Sequence, residues 1–172
     1  CVWVDFFIMK TIIVNSKKHG THNVLVDDED YENLSKFKWN IFKKETDNTL
    51  YCKRNSKRDP ITRKQKTITM HRLIMNICGE KGIIDHKDHN GLNNQKSNLR
   101  ICNTSQNGAN RLKNKNASSK YYGVCYAKSS KKWNAFLQTK RTNANLGYFD
   151  NEEEAARHRD KIAFERYGEF AI

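Results

Sequence analysis

Hydrophobic and polar positions alternate in short runs along most of this chain, and a helical period takes over only in brief stretches. Between residues 10 and 26, β-branched runs at 11–14 and 24–26 flank a polar turn, which predicts two strands. Asp27, Asp28, Glu29 and Asp30 follow, and acids there suit the positive end of a helix dipole. Tyr31, Leu34 and Phe37, at three-residue spacing, give that short helix one buried face, and a core role for these aromatics outweighs a binding role. Further strands are predicted at 39–43 and 50–54. Residues 56–66 hold the only proline, Pro60, among Lys57, Arg58, Arg63, Lys64 and Lys66, and read as an exposed basic hairpin loop. Such a loop is either a solvated surface or a phosphate contact. A strand ending at Met70 then leads into a short helix at 71–77, with a break at 79–82.

The next run, 83–110, reads IIDHKDHNGLNNQKSNLRICNTSQNGAN. It predicts a strand at 83–87, turn chemistry from Asn90-Gly91 onward, a second strand at 99–102 and a helix capped by Asn103 or Thr104. On that layout Asp85, His86 and Asn107 converge on one face. Residues 113–120 are polar and poor in apolar side chains, as linkers are. Beyond them, 121–127, 133–139 and 145–149 predict three strands, and a helix follows in which Asp150 caps and Glu153 completes the box. Ala155, Ala156, Ile162, Ala163 and Tyr167 form its apolar face, and Gly168 ends it. The expected fold class is α+β: a β-rich segment at 9–70, a small ββα core at 71–112, a linker at 113–119, and a three-stranded antiparallel sheet packed on one helix at 120–172. Residues 1–8 are set aside, because Met9 is a candidate start and the opening run has neither a basic leader nor a cleavage site.

Charge narrows the partners. Lys and Arg total 32 against 19 Asp and Glu, with a net charge of +13. The surplus sits mid-chain: 7 against 8 in residues 1–52, 15 against 4 in 53–117, and 10 against 7 in 118–172. A polyanion is the natural partner, and with no apolar run near the roughly 20 residues that span a bilayer, nucleic acid is favoured over membrane. Five cysteines, Cys1, Cys52, Cys78, Cys102 and Cys125, are odd in number and widely spaced. That pattern indicates neither a disulfide framework nor a thiolate zinc site, and a reducing cytoplasm is the simplest compartment.

Phosphodiester hydrolysis needs an activated water, a cation against the developing charge, and a group to orient the base. A neutral histidine, an Asp oxygen and an amide oxygen supply those parts, and hard oxygens suit one Mg²⁺ or Mn²⁺. Chance must be weighed, since the chain has 20 asparagines. Asp-His arises by composition roughly 0.35 times and occurs twice, as Asp85-His86 and Asp88-His89, and spacing alone does not choose between the histidines. Two further asparagines at set positions lower the chance expectation to roughly 0.005, so the whole pattern is informative.

Asp85-His86, Asn98 in the run Ser97-Asn98-Leu99-Arg100, Asn107, and the upstream His71-Arg72-Leu73 resemble the HNH endonucleases of the ββα-metal type. The resemblance implies a divalent-metal-dependent endonuclease that nicks duplex DNA. It implies His86 as general base, Asp85 and Asn107 as metal ligands, and Asn98 as the loop brace that orients the histidine. Asn107 stands where the motif's last histidine would be, a change common in phage-type members. A cysteine-ligated structural zinc, frequent in that family, is not expected here. His89 falls outside the matching positions and reads as a loop or substrate-contact residue, and Arg100 as a binder of DNA phosphate or of an internal carboxylate.

Tyr122-Gly123-Val124, Trp133-Asn134-Ala135, Leu146-Gly147-Tyr148-Phe149 and Glu154-Ala155-Ala156 resemble the Apetala-type (ethylene-response-factor) DNA-binding domain. That similarity implies DNA contacts at Tyr126, Lys128, Lys132, Trp133, Gln138 and Lys140, to which the basic loop adds Arg58, Arg63 and Lys64. For Trp133 an edge or core role stands beside the DNA contact. The order of the two segments is typical of phage and mobile-element nucleases, which implies a cytoplasmic protein, in the bacterial host cytoplasm if phage-encoded; a monomer is favoured. The alternative is a DNA-binding transcriptional regulator with an inactive HNH scaffold, and a third reading is an RNA-binding module.

Overall fold

The computed structural model describes residues 9–44, 49–78, 81–110, 118–138 and 143–171. The chain divides into two compact units, Cys1–Ile101 and Cys102–Ile172.

In the first unit, β1 (Met9–Ser16) and β2 (Gly20–Asp27) form an antiparallel hairpin in continuous register from Met9↔Asp27 to Ser16↔Gly20. Helix α1 (Asp28–Ser35) follows with three acids in its first turn. Strands β3 (Asn40–Lys43), β4 (Leu50–Asn55) and β5 (Thr67–Thr69) form an antiparallel meander that runs into the short helix α2 (Met70–Ile74). Strands β6 (Ile83–His86) and β7 (Leu99–Cys102) then make a two-stranded sheet. The core beneath these elements gathers Val14, Val24, Val26, Leu34, Trp39, Ile41, Cys52, Met70 and Leu92. The loop between β6 and β7 joins this body by main-chain bonds: Leu25 N–H donates to Leu92 O (2.9 Å) and Asn94 N–H to Leu25 O (2.8 Å).

Two local expectations change here. Phe37 lies beyond the end of α1 and is exposed, while Trp39 takes the buried position and donates its indole N–H to Leu34 O (2.8 Å). The helix ends one residue before Lys36, so the three-residue spacing stops describing a helix face at Phe37. Asp27 occupies the N-cap position but makes no side-chain cap. Its buried carboxylate instead accepts the Lys96 N–H (2.7 Å) and tethers the β6–β7 loop.

In the second unit, helix α3 (Thr104–Ala109) opens on a complete capping box, Asn103 with Gln106. Strands β8 (Val124–Ala127), β9 (Lys132–Gln138) and β10 (Asn143–Phe149) form an antiparallel sheet with β9 in the centre, and helix α4 (Glu152–Tyr167) packs against it. Val124, Ala135, Ala155 and Ala156 form the seam, with Trp133, Leu146 and Phe149 against them. Small residues on α4 let helix and sheet approach closely. The helix is capped by Asn151, whose side chain accepts the Glu153 and Glu154 N–H groups. Asp150 was the expected cap, but it lies one residue too early and pairs with Lys132 (3.1 Å). Gly168 closes α4 with φ 56°, as expected of a residue that must leave the helix left-handed. Among the described residues no helix is long and apolar enough to cross a membrane.

Candidate active site

Strand β6 is short and ends in the pair that matters, Asp85 and His86, both buried. The loop that follows turns sharply. His89 adopts a left-handed φ of 61° and donates its N–H to His86 O (3.0 Å), which fits a turn role for this residue. Asn98 fastens the loop at its far end: Nδ2 donates to Asp88 Oδ1 (2.9 Å) and to Asn93 O (2.8 Å), and Oδ1 accepts the Asp88 N–H (3.1 Å). Asp88 also accepts from Asn90 N–H (2.9 Å) and Asn93 Nδ2 (2.7 Å). Partial burial raises the Asp88 pKa, but these hydrogen bonds outweigh it and the carboxyl titrates below its usual range. The second Asp-His pair therefore supplies a loop brace in Asp88.

The His86 imidazole is walled by two other rings. Tyr51 on β4 lies 5.7 Å away between centroids at 61°, and His71 on α2 lies 5.3 Å away at 90°. Tyr51 and His71 also touch each other, at 5.7 Å. Asn94, fully buried, completes the surroundings. Burial pushes the His86 pKa below its usual value, more than the Asp88 charge, the Asn94 amide and the Asp85 charge raise it. The ring is thus neutral near pH 7, the form able to accept a proton. His71 is pushed down to about 3, first by burial and then by His86, Arg72 and Lys44. Its Nε2 faces Thr69 Oγ1 at 3.1 Å.

Asp85 faces Arg100 on β7, whose Nε and Nη2 both lie 2.8 Å from Oδ2. Arg100 is buried, and the internal carboxylate, one of its two anticipated partners, is engaged by it. Asn107 is exposed on α3, in the second unit. A carboxylate beside a neutral imidazole fits a hard divalent cation in donor chemistry. Among the described residues no three His, Cys, Asp or Glu side chains cluster to hold one. The remaining positions of such an ion would fall to amide oxygens, water and substrate phosphate, as Mg²⁺ accepts readily.

The candidate DNA contacts separate into groups. Arg58, Arg63 and Lys64 stand exposed on the β4–β5 loop, which is closed at its base by Ser56 N–H to Lys66 O (2.8 Å). In the second unit, Lys128 is exposed in the β8–β9 turn. Lys132 and Gln138 lie on one face of β9, with Asn134 and Phe136 between them. Trp133 points to the other face, with Ala135 and Leu137, and its ring meets Tyr126 at 5.1 Å. Lys140 lies outside the described residues. Tyr51 went unnoticed in the sequence, and His71 was matched to a motif without a role. Neither has a local signal, because both reach His86 through tertiary contacts.

The chain is similar to a protein of Acanthamoeba polyphaga mimivirus named an uncharacterized HNH endonuclease, with 29% identity over 175 residues, covering 97% of this chain and 83% of the relative. No model of a known protein family matches the chain, and no solved structure matches it.

Proposed function

We propose that this protein is a divalent-metal-dependent DNA endonuclease of the HNH type that nicks duplex DNA. The observation that carries the reading is a buried His86 at the end of β6, its pKa held below the usual value by burial, next to Asp85 and on a loop tied down by Asn98. The similarity to the viral protein named an HNH endonuclease supports it independently of that geometry.

In this reading a ring nitrogen of His86 takes the proton from water as the water oxygen bonds to phosphorus. The bond from phosphorus to the leaving sugar oxygen breaks, and that oxygen takes its proton from solvent. Asp85 would help to hold one Mg²⁺ or Mn²⁺, which when bound supplies charge stabilisation to the phosphate and leaving oxygen. Asn98 keeps the loop, and so His86, in place. Arg100 orients the Asp85 carboxylate from behind.

Duplex binding is assigned to the exposed Arg58, Arg63 and Lys64 loop and to the second unit. In that unit the Apetala-type resemblance assigns the phosphate contacts to Lys128, Lys132, Gln138 and Lys140. Trp133 and Tyr126 meet on the opposite face of the sheet, where Trp133 packs against the core.

A DNA-binding regulator with an inactive scaffold is the second reading, and the engagement of Asp85 by Arg100 favours it. Supercoiled-plasmid cleavage with Mg²⁺ or Mn²⁺ separates the two: metal-dependent nicking is expected, and duplex binding with no cleavage in either ion would select the regulator.

A further inference from the structure

The ring cluster around His86 is more elaborate than burial of an imidazole requires. Its members come from three elements separated in sequence: Tyr51 from β4, His71 from α2 and His86 from β6. Each wall is anchored apart from the ring it touches. Tyr51 pairs with Phe42 across the β3–β4 ladder, with ring centroids 5.7 Å apart. Its other support is Gly91 in the β6–β7 loop, where an added Cβ would come within 2.7 Å of two Tyr51 ring carbons and would collide with Leu50 O. Only a glycine lets the loop seat against this ring. His71 follows Met70, which is fully buried, and its Nε2 is engaged by Thr69 Oγ1. With their own positions fixed by backbone pairing and core packing, the two rings leave the imidazole packed against them little rotational freedom.

From this geometry we infer that Tyr51 and His71, which touch each other as well as His86, form a continuous aromatic wall that holds the His86 imidazole in one orientation, and that both are positioning residues for the hydrolysis. The inference rests on the nuclease reading given above. Neither residue donates to or accepts from the reacting atoms. They act by fixing the direction of the ring nitrogen that receives the water proton, and a general base works only when its lone pair is aimed at that proton.

The test measures single-turnover plasmid cleavage at saturating DNA, equilibrium duplex binding, thermal melting and the imidazole CH resonances of His86, in the full chain. The variants are Tyr51→Leu, Tyr51→Phe, His71→Leu and His71→Asn, the last retaining a polar partner for Thr69 if the leucine variant fails to fold. Tyr51→Leu and the His71 variants are expected to lose roughly 10- to 100-fold in cleavage rate with duplex affinity unchanged, the scale of misaimed catalytic groups. Tyr51→Phe is expected to restore the rate, and the His86 resonances are expected to shift and broaden only where a ring is lost. Folded variants that cleave at the native rate, or His86 resonances unmoved by loss of either ring, would overturn the positioning role. A native protein that never cleaves would overturn the nuclease reading and the positioning role with it, while the resonances would still report whether the imidazole is held.

Discussion

Nε and Nη2 of Arg100 both lie 2.8 Å from a single oxygen of Asp85, Oδ2, and both side chains are buried. The pair links the end of β6 to β7 and sets the direction of the carboxylate that stands beside His86. Arg100→Met removes one partner and leaves a buried charge uncompensated, which costs about 3–5 kcal/mol in such settings. Urea denaturation is expected to read a loss of that order. A loss under about 1 kcal/mol, the scale of exposed pairs, would mean that water already reaches Asp85.

Asn98→Ala removes three hydrogen bonds from the β6–β7 loop, two of them involving Asp88. A loss of about 2–3 kcal/mol in stability is expected, since the groups left behind are partly buried and one is charged. Hydrogen exchange at the Asp88 and Asn90 amides is expected to accelerate first. Unchanged protection there would show that the loop is held by its main-chain bonds to β2 alone.

The buried histidines predict the acid limb of stability. His71 titrates near 3 in the folded chain against 6.5 unfolded, and His86 is lowered in the same direction. Between those values the unfolded chain binds more protons, so stability rises with pH across roughly 3 to 6.5 and falls as pH drops through that window. Asp88, lowered from 3.8, adds a loss in the same direction at the bottom of the range. Chemical denaturation at several pH values is expected to show this slope, and His71→Leu to reduce it. An equal slope in His71→Leu would show that His71 is not the buried neutral group described.

The cysteines predict a labelling order. Burial pushes the Cys52 thiol up to about 12, and Cys102 is buried, whereas Cys78 is exposed. Thiolate is the reactive form, so iodoacetamide at mildly alkaline pH is expected to modify Cys78 first and to spare Cys52 until the chain unfolds. Early modification of Cys52, read by peptide mass mapping, would contradict the packing of the β3–β4–β5 sheet.

Much of the architecture was legible in the sequence because it rests on local rules. β-Branched runs at 11–14 and 24–26 mark the first hairpin, Asn103 and Thr104 mark the start of α3, where Asn103 is the cap, and Gly168 marks the end of α4. The misses were of two physical kinds. Asn151 and Asp150 are neighbours with equal capping ability, and the choice between them was made by the chain's exit from β10 and the pairing of Asp150 with Lys132. Phe37 and Trp39 are both large aromatics, and burial went to the one whose indole N–H reaches a helix-end carbonyl, Leu34 O. In the candidate site, Asp85 and His86 stood out by motif, whereas Tyr51 came to His86 by way of strand register and a glycine 40 positions later in the chain. No local pattern encodes that meeting.

The central claim is tested most directly by cleavage of supercoiled plasmid in Mg²⁺ and in Mn²⁺, comparing the native chain, His86→Ala and EDTA-treated protein at matched DNA occupancy. The account predicts metal-dependent nicking by the native chain, abolished in His86→Ala while duplex binding survives. Cleavage undiminished in His86→Ala, or none by native protein that binds duplex in either metal, would contradict it.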